Sequence, residues 1–275
     1  VPGRTELAGN HTDHQQGRIL ASAVDLGLYA DFEKNGENAI HIHSEGYSDF
    51  TVRLNHTAVR TGEFGTPKSL VRGMIAAFRE LGLDCGGFNA EIRTTLPAGS
   101  GLSSSAAYTV LIGKILSELF NDGKVDPVVI ARAAQQSENK YFGKPCGLMD
   151  QLTCSLGHTV YVDFHTNEIE PVQADFHSMG LTLCLTDTGG LDTSYARIPA
   201  DMVYIANLFD KGVLGDVDPE EFRRKGWDPA NRPVRRAMHF FNENERVPLM
   251  RDALKRGDGA TYMRLMNESG RSSEE

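Results

Sequence analysis

Twelve residues constrain this chain more than any other stretch: Leu96-Pro97-Ala98-Gly99-Ser100-Gly101-Leu102-Ser103-Ser104-Ser105-Ala106-Ala107. Before them, residues 88–95 read as a β-strand. After them, residues 103–120 read as a helix with Ala107, Leu111, Ile115 and Leu119 on one face. A chain that leaves a strand through glycines and serines and turns directly into a helix brings backbone N–H groups close to an anion. The positive end of the helix dipole adds to them. Three successive serines offer hydroxyls to phosphate oxygens or to Mg²⁺. No Gly-Lys-Ser/Thr follows, so this is not a Walker A loop. The plain alternative is a Gly/Ser turn with a serine as N-cap.

The surrounding pattern mixes strands and helices. Residues 19–32 read as a long apolar strand, and 39–44 and 50–54 as short ones. Pro67 opens a helix with the stripe Leu70, Val71, Met74, Ile75, Phe78 and Leu81. Asp126-Pro127 supplies an N-cap and a first-turn proline for a helix through Tyr141, and a short helix after Pro145 carries Met149 and Leu152. Residues 160–164 and 181–185 return to strand patterns. From Thr193 the chain is mostly helical, broken near 215–219, 227–233 and 257–259. The expected class is therefore α+β, with a first domain over 1–175 and a mainly helical second over 176–275.

Composition narrows the partners. The 275 residues are 40% hydrophobic and 24% charged, which is ordinary for a globular chain. Against 37 Asp+Glu stand 28 Lys+Arg, a net charge of −9. That argues against a binder of duplex nucleic acid or of an anionic membrane, since both need a basic face. No apolar run approaches the ~18 residues that span a bilayer, and no signal peptide is visible. Four cysteines without a C-x-x-C pair read as reduced, cytoplasmic thiols rather than a zinc site or disulfide framework. The basic stretches Arg223-Arg224-Lys225 and 232–236 read as solvated faces or charge pairs, and Trp227 as packing under a loop. The chain starts at Val1-Pro2-Gly3 and ends at Ser272-Ser273-Glu274-Glu275. Both ends read as cuts, so a longer protein is expected.

Two further clusters carry chemistry. Gly3-Arg4-Thr5-Glu6-Leu7-Ala8-Gly9-Asn10-His11-Thr12-Asp13-His14 crowds polar groups beside an apolar strand, where a polyhydroxylated ligand could partner them. A polar surface loop is the bland alternative; a metal on His11, Asp13 and His14 would need a further ligand. In Pro145-Cys146-Gly147-Leu148-Met149-Asp150-Gln151 an acid stands on an apolar stretch. Either Asp150 lies on a helix surface or it is buried with a compensating partner, for which Arg4 is the candidate.

In this order the clusters resemble the galactokinase branch of the GHMP small-molecule kinases. Gly3 to Gly17 is similar to that branch's opening motif, and the Gly/Ser loop to the superfamily's phosphate-binding motif. Residues 133–139 and 146–151 resemble its helix and catalytic-Asp segments. Asp187-Thr188 with Ser194-Tyr195 resembles a sugar-side segment, and Met266-Asn267-Glu268-Ser269 a downstream helix. The resemblance implies a two-lobed fold, a ribosomal protein S5 domain 2-like N-terminal lobe and a ferredoxin-like, helical C-terminal lobe, the latter incomplete. It implies ATP- and Mg²⁺-dependent phosphorylation of a sugar's anomeric hydroxyl, galactose first. Asp150 would take the hydroxyl proton, and Arg4 would keep Asp150 ionised. Gly99, Ser100, Gly101, Leu102, Ser103, Ser104 and Ser105 would cradle the ATP phosphates. Mg²⁺ would sit between Ser105 (or Ser104) and Glu138. Asn10, His11, Asp13, Gly147 and Tyr195 would meet the sugar. A monomer is expected, with no nucleic-acid or membrane partner.

Three departures bear on specificity. Position 10 is Asn where the branch carries Glu, and position 14 is His where it carries an aromatic residue. The stretch 187–195 is short, and the Gly-rich third motif is absent. The first removes a charge-assisted hydrogen bond worth ~1.5–3 kcal/mol, which leaves another hexose, an amino sugar or a pentose open. A non-catalytic sugar and ATP sensor of the same fold is the other reading.

Overall fold

The computed structural model describes residues 1–97, 99–186 and 197–274. Among these, the strands are β1 (Pro2–Ala8), β2 (Arg18–Lys34), β3 (Ala39–Ser44), β4 (Phe50–Arg53), β5 (Phe88–Thr94), β6 (Val160–Asp163) and β7 (Glu168–Pro171). The helices are α1 (Pro67–Glu80), α2 (Ser104–Phe120), α3 (Pro127–Ser137), α4 (Met149–Leu156), α5 (Arg197–Asn207), α6 (Pro219–Arg224), α7 (Arg232–Arg256) and α8 (Gly259–Glu274). The chain divides into two interleaved units, Val1–Thr5 with Ala23–Gly157 and Glu6–Ser22 with His158–Glu275. Residue 175, where the composition turns helical, lies inside the second.

In the first unit the sheet order is β4-β3-β5-β2. β3 runs parallel to β5 and the other two pairs are antiparallel. β5 shows why one face is wet: its residues alternate buried and exposed along FNAEIRT. The buried face gives Ile40, Ile42, Val52, Phe88 and Ile92 to a core with Leu70, Met74, Ile75 and Phe78 of α1 and Val110, Ile112 and Leu116 of α2. Proline at the first position opens α1 and α3, and the Asp126 carboxylate accepts from Val128 N at 2.7 Å. The helix expected through Tyr141 instead widens after Ser137 into a π turn, Glu138–Phe142, closed by left-handed Gly143. That turn buries Glu138 completely.

In the second unit the first residues of β2 pair antiparallel with β6, which pairs with β7. One apolar cluster joins Leu7, Leu20 and Tyr161 to Met250, Leu254 and Tyr262; another gathers Met202, Ile205, Phe222, Phe240 and Phe241. Trp227 packs on Phe222 and gives its indole N–H to the Phe222 carbonyl at 2.7 Å, so it serves packing. Arg223 pairs with Glu220 and Glu245, and Arg232 and Arg236 both pair with Asp201. The strand expected at 181–185 is not formed: Leu183 and Leu185 are 39% and 50% exposed, and alternation without a sheet edge to join leaves them in solvent. All four cysteines are free. Among the described residues no helix is long and apolar enough to cross a membrane.

Gly9 is fixed by its surroundings. Its φ is +97°, and a Cβ would lie 2.4 Å from the Arg18 carbonyl oxygen. Gly9→Ala is expected to cost at least about 1–3 kcal/mol, read as a lowered Tm in thermal unfolding.

Candidate active site

Asp150 stands in the first turn of α4, between buried Met149 and buried Gln151. The positive end of the helix favours its ionised form. Its side chain is 19% exposed, and each carboxylate oxygen has a donor. Arg4 Nε donates to Oδ1 at 2.8 Å and the Ser103 hydroxyl to Oδ2 at 2.6 Å. Burial alone would raise the carboxyl pKa. The Arg4 charge, the Arg4 and Ser103 hydrogen bonds and Lys144 outweigh it and hold the group below its ordinary value. Asp150 is therefore a paired, ionised carboxylate, and the helix-surface alternative falls.

β1 and the Gly/Ser loop set the position of Arg4. A Cβ on Gly3 would come within 2.8 Å of the Leu102 carbonyl, so only glycine lets β1 pass so near the loop. Arg4 N then donates to that carbonyl at 3.2 Å, and Arg4 Nη1 to the Gly101 carbonyl at 3.0 Å. One side chain thus bridges the loop and Asp150.

In the loop itself, Gly99, Gly101 and Ser103 all have left-handed backbones, with φ of 71°, 72° and 59°. Such alternation turns successive N–H groups toward one side, an anion-binding arrangement. It leads into the first turn of α2, whose amides have no intrahelical acceptor. Gly99, Gly101 and Ser104 are exposed, Ser100, Ser103 and Ser105 half-buried. Leu102 differs: its side chain is buried in the core, so only its backbone faces the loop. Ala98 lies outside the described residues. Ser103 occupies the N-cap position but makes no capping bond, because its hydroxyl is given to Asp150. Held at φ 59°, it is a strained serine beside the acid.

Glu138, at the π turn, accepts from the Ser105 hydroxyl at 3.2 Å and from Gln151 Nε2 at 3.0 Å, with Lys144 Nζ at 3.7 Å. Burial pushes its carboxyl pKa up, against the pull of Lys144. A buried carboxylate short of positive charge beside a serine hydroxyl is a hard oxygen pair that suits Mg²⁺. Among the described residues no three His, Cys, Asp or Glu are grouped to hold a metal alone, so nucleotide oxygens would have to complete the shell. That also removes the metal reading of His11, Asp13 and His14.

In the second unit Thr12 is buried, and its carbonyl accepts from Gln15 N and Gly17 N, fixing the turn that carries the polar cluster. Asn10 Nδ2 donates to Ser273 Oγ at 3.2 Å, and its carbonyl faces His239 Nε2 at 3.0 Å. Asp13 Oδ1 accepts from His14 N at 2.8 Å. Burial pushes His14 down to about 4, so its ring is neutral at physiological pH. Gly147 is half-buried in the first unit ahead of α4, next to Cys146, whose N–H bonds Asn139. Tyr195 and the 187–196 segment lie outside the described residues. Lys144 and Gln151 join Glu138 without any sequence signal beyond closeness to Asp150.

Known proteins are similar to this chain in sequence and fold. Residues 69–158 match the model for the GHMP kinases N terminal domain, and residues 1–34 the galactokinase galactose-binding signature. Galactokinase of Lactobacillus helveticus is 30% identical over 98% of this chain and 73% of its own length. That of Clostridium tetani is 28% identical over 98% and 71%. Among solved structures, Lactococcus lactis galactokinase complexed with galactose superposes with a TM-score of 0.86 at 24% identity, covering 100% of this chain and 74% of that one. Methanococcus jannaschii mevalonate kinase gives 0.66 at 17%, covering 99% and 77%. The mixed α+β fold is that of the GHMP kinases, and with these matches over nearly its whole length the chain belongs to the galactokinase family.

Proposed function

We propose that this protein transfers the γ-phosphoryl group of ATP to the anomeric hydroxyl of a sugar, converting galactose to galactose 1-phosphate. One observation carries the reading: an ionised carboxylate, Asp150, tied through Arg4 and Ser103 to a left-handed Gly/Ser loop at a helix N-terminus. Phosphoryl transfer asks for little else from a protein than positioning, charge neutralisation and a base. The loop amides and the α2 terminus hold phosphate oxygens. The sugar oxygen bonds to phosphorus as the bond to the β-phosphate oxygen breaks, and its proton passes to Asp150. A carboxylate with a depressed pKa takes that proton only once the new bond is forming, which suits a loose transition state. Arg4 stabilises charge at both carboxylate and loop.

Mg²⁺, held by Ser105 and Glu138, would supply further charge neutralisation on the phosphates. His11, Asp13, Asn10, Gly147 and Tyr195 are proposed for the sugar hydroxyls on the strength of the family motifs. We read the protein as a cytoplasmic monomer, which light scattering would check. Arg4 and Asp150 together favour catalysis over a sensor. The test is ADP release with ATP and Mg²⁺ over galactose, other hexoses, amino sugars and pentoses. Turnover of galactose is expected, and tight sugar binding without ADP would overturn the reading.

A further inference from the structure

The second unit contains a cavity of about 490 Å³ whose lining includes Asn10, His11, His239, Arg232, Arg235 and Arg236. Its volume is within the ordinary range for small-molecule sites. Its charge is the unusual feature in a chain of net −9. Arg232 and Arg236 share a single carboxylate: Arg232 reaches Asp201 with two nitrogens, at 2.8 and 3.2 Å, and Arg236 with one at 2.7 Å. Among the described residues the Arg235 guanidinium makes no ion pair, and Glu274 is the only carboxylate in the lining.

Placement makes the excess costly. The three arginines lie at the start of α7, whose first turn holds no acid. Cations there run against the helix dipole, Arg232 most of all. Asp201 offsets Arg232 and Arg236 but not Arg235, and a break of a local rule left uncompensated marks a site for something external. Position 10 points the same way. An acid there would put a second carboxylate into the lining; the Asn amide adds no negative charge.

We propose that this cavity takes the acidic group of an acidic sugar, a hexuronate carboxylate or a hexose phosphate, with the free fork of Arg235 as its main anchor. The proposal rests on the sugar-kinase reading above. The shared chemistry is an oxyanion on a polyhydroxylated ring: guanidinium forks match carboxylate and phosphate oxygens in pairs, and the Asn10 amide can meet a hydroxyl as donor or acceptor.

Isothermal titration of the full chain with D-galacturonate, D-galactose 6-phosphate and D-galactose tests it. At least one acidic sugar is expected to bind more tightly than galactose, with affinity that falls as salt rises. Arg235→Ala is expected to weaken that sugar about ten- to a hundredfold, the equivalent of one charge-assisted contact. Arg235 is exposed, and an unchanged melting curve separates lost binding from lost folding; Arg235→Gln is the second variant. Response to galacturonate alone assigns a carboxylate, to the 6-phosphate alone a phosphate. If neither acid outbinds galactose, or if both variants leave its affinity unchanged, the proposal is overturned. Galactose turnover without acid binding removes this proposal alone; acid binding without ADP release from any sugar removes the kinase reading alone.

Discussion

Asp150→Asn is expected to lower kcat by about 10²–10⁴-fold, the usual worth of a positioned general base. The substitution is nearly isosteric, so the local geometry has a way to persist. The amide oxygen can stay toward Arg4 Nε, and the Ser103 hydroxyl can turn to accept from the amide N–H. What disappears is the lone pair proposed to receive the sugar proton. ATP affinity should change little, because no loop residue is altered. Single-turnover phosphoryl transfer in a quenched-flow assay, beside nucleotide binding by fluorescence, separates the two. Wild-type turnover in the variant would mean that Asp150 is not the base.

Arg4→Met is the second large effect, and it acts on two quantities together. The variant loses the charge that bridges Asp150 and the Gly101 carbonyl, and kcat/KM should fall by about 10²–10³-fold, as for loss of one preorganised electrostatic contact. It also leaves Asp150 with its burial intact and its main counter-charge gone, so the carboxyl pKa moves up. The acid limb of the pH–rate profile should therefore shift to higher pH. Stability follows with a definite sign. In the wild type a depressed carboxyl pKa stabilises the fold above the unfolded value of ~3.9, and the contribution fades as pH falls through the folded value. In the variant the carboxylate is a buried charge with a weakened partner set, costing up to about 3 kcal/mol near neutral pH. Acidification toward the raised pKa should recover part of that, which paired urea titrations at two pH values would show. An unshifted acid limb would mean that Arg4 does not set the ionisation of Asp150.

Periodicity made α1, α2 and the central strands legible, because stripes such as Leu70, Met74, Ile75 and Phe78 have only one satisfactory burial. It failed at Glu138. Ile130, Ala134 and Tyr141 continue the helical spacing, and the extra residue per turn that swings Glu138 inward leaves no trace in a hydrophobic pattern. β1 and β7 escaped because a short strand beside polar residues looks like a loop until a partner strand is known. Residues 181–185 erred the other way, having alternation but no partner strand among the described residues. The Gly/Ser loop declared itself by chemistry, since positive φ at Gly99 and Gly101 needs glycine. The hydroxyl of Ser103 did not: nothing local tells a capping serine from one turned toward an acid 47 residues away. Arg232 and Arg236 behave as the charge pairs that their surroundings suggested, whereas Arg235, three residues after the first and next to the second, stands in a cavity that only the fold reveals.

The seventeen residues of β2 begin in one unit and end in the other. On the ribosome this sets an order of events. The first unit has all of its residues once position 157 has emerged, whereas residues 6–22, though made earlier, must wait for partners from position 158 onward. For that interval Ile19 and Leu20, wholly buried in the finished protein, have no lasting cover. The stretch that carries the sugar motif is thus also the one most exposed to misfolding or chaperone capture during synthesis. Slowing translation past residue 157 should lengthen that exposure, and soluble yield should fall even though every substitution-free copy has the same final stability.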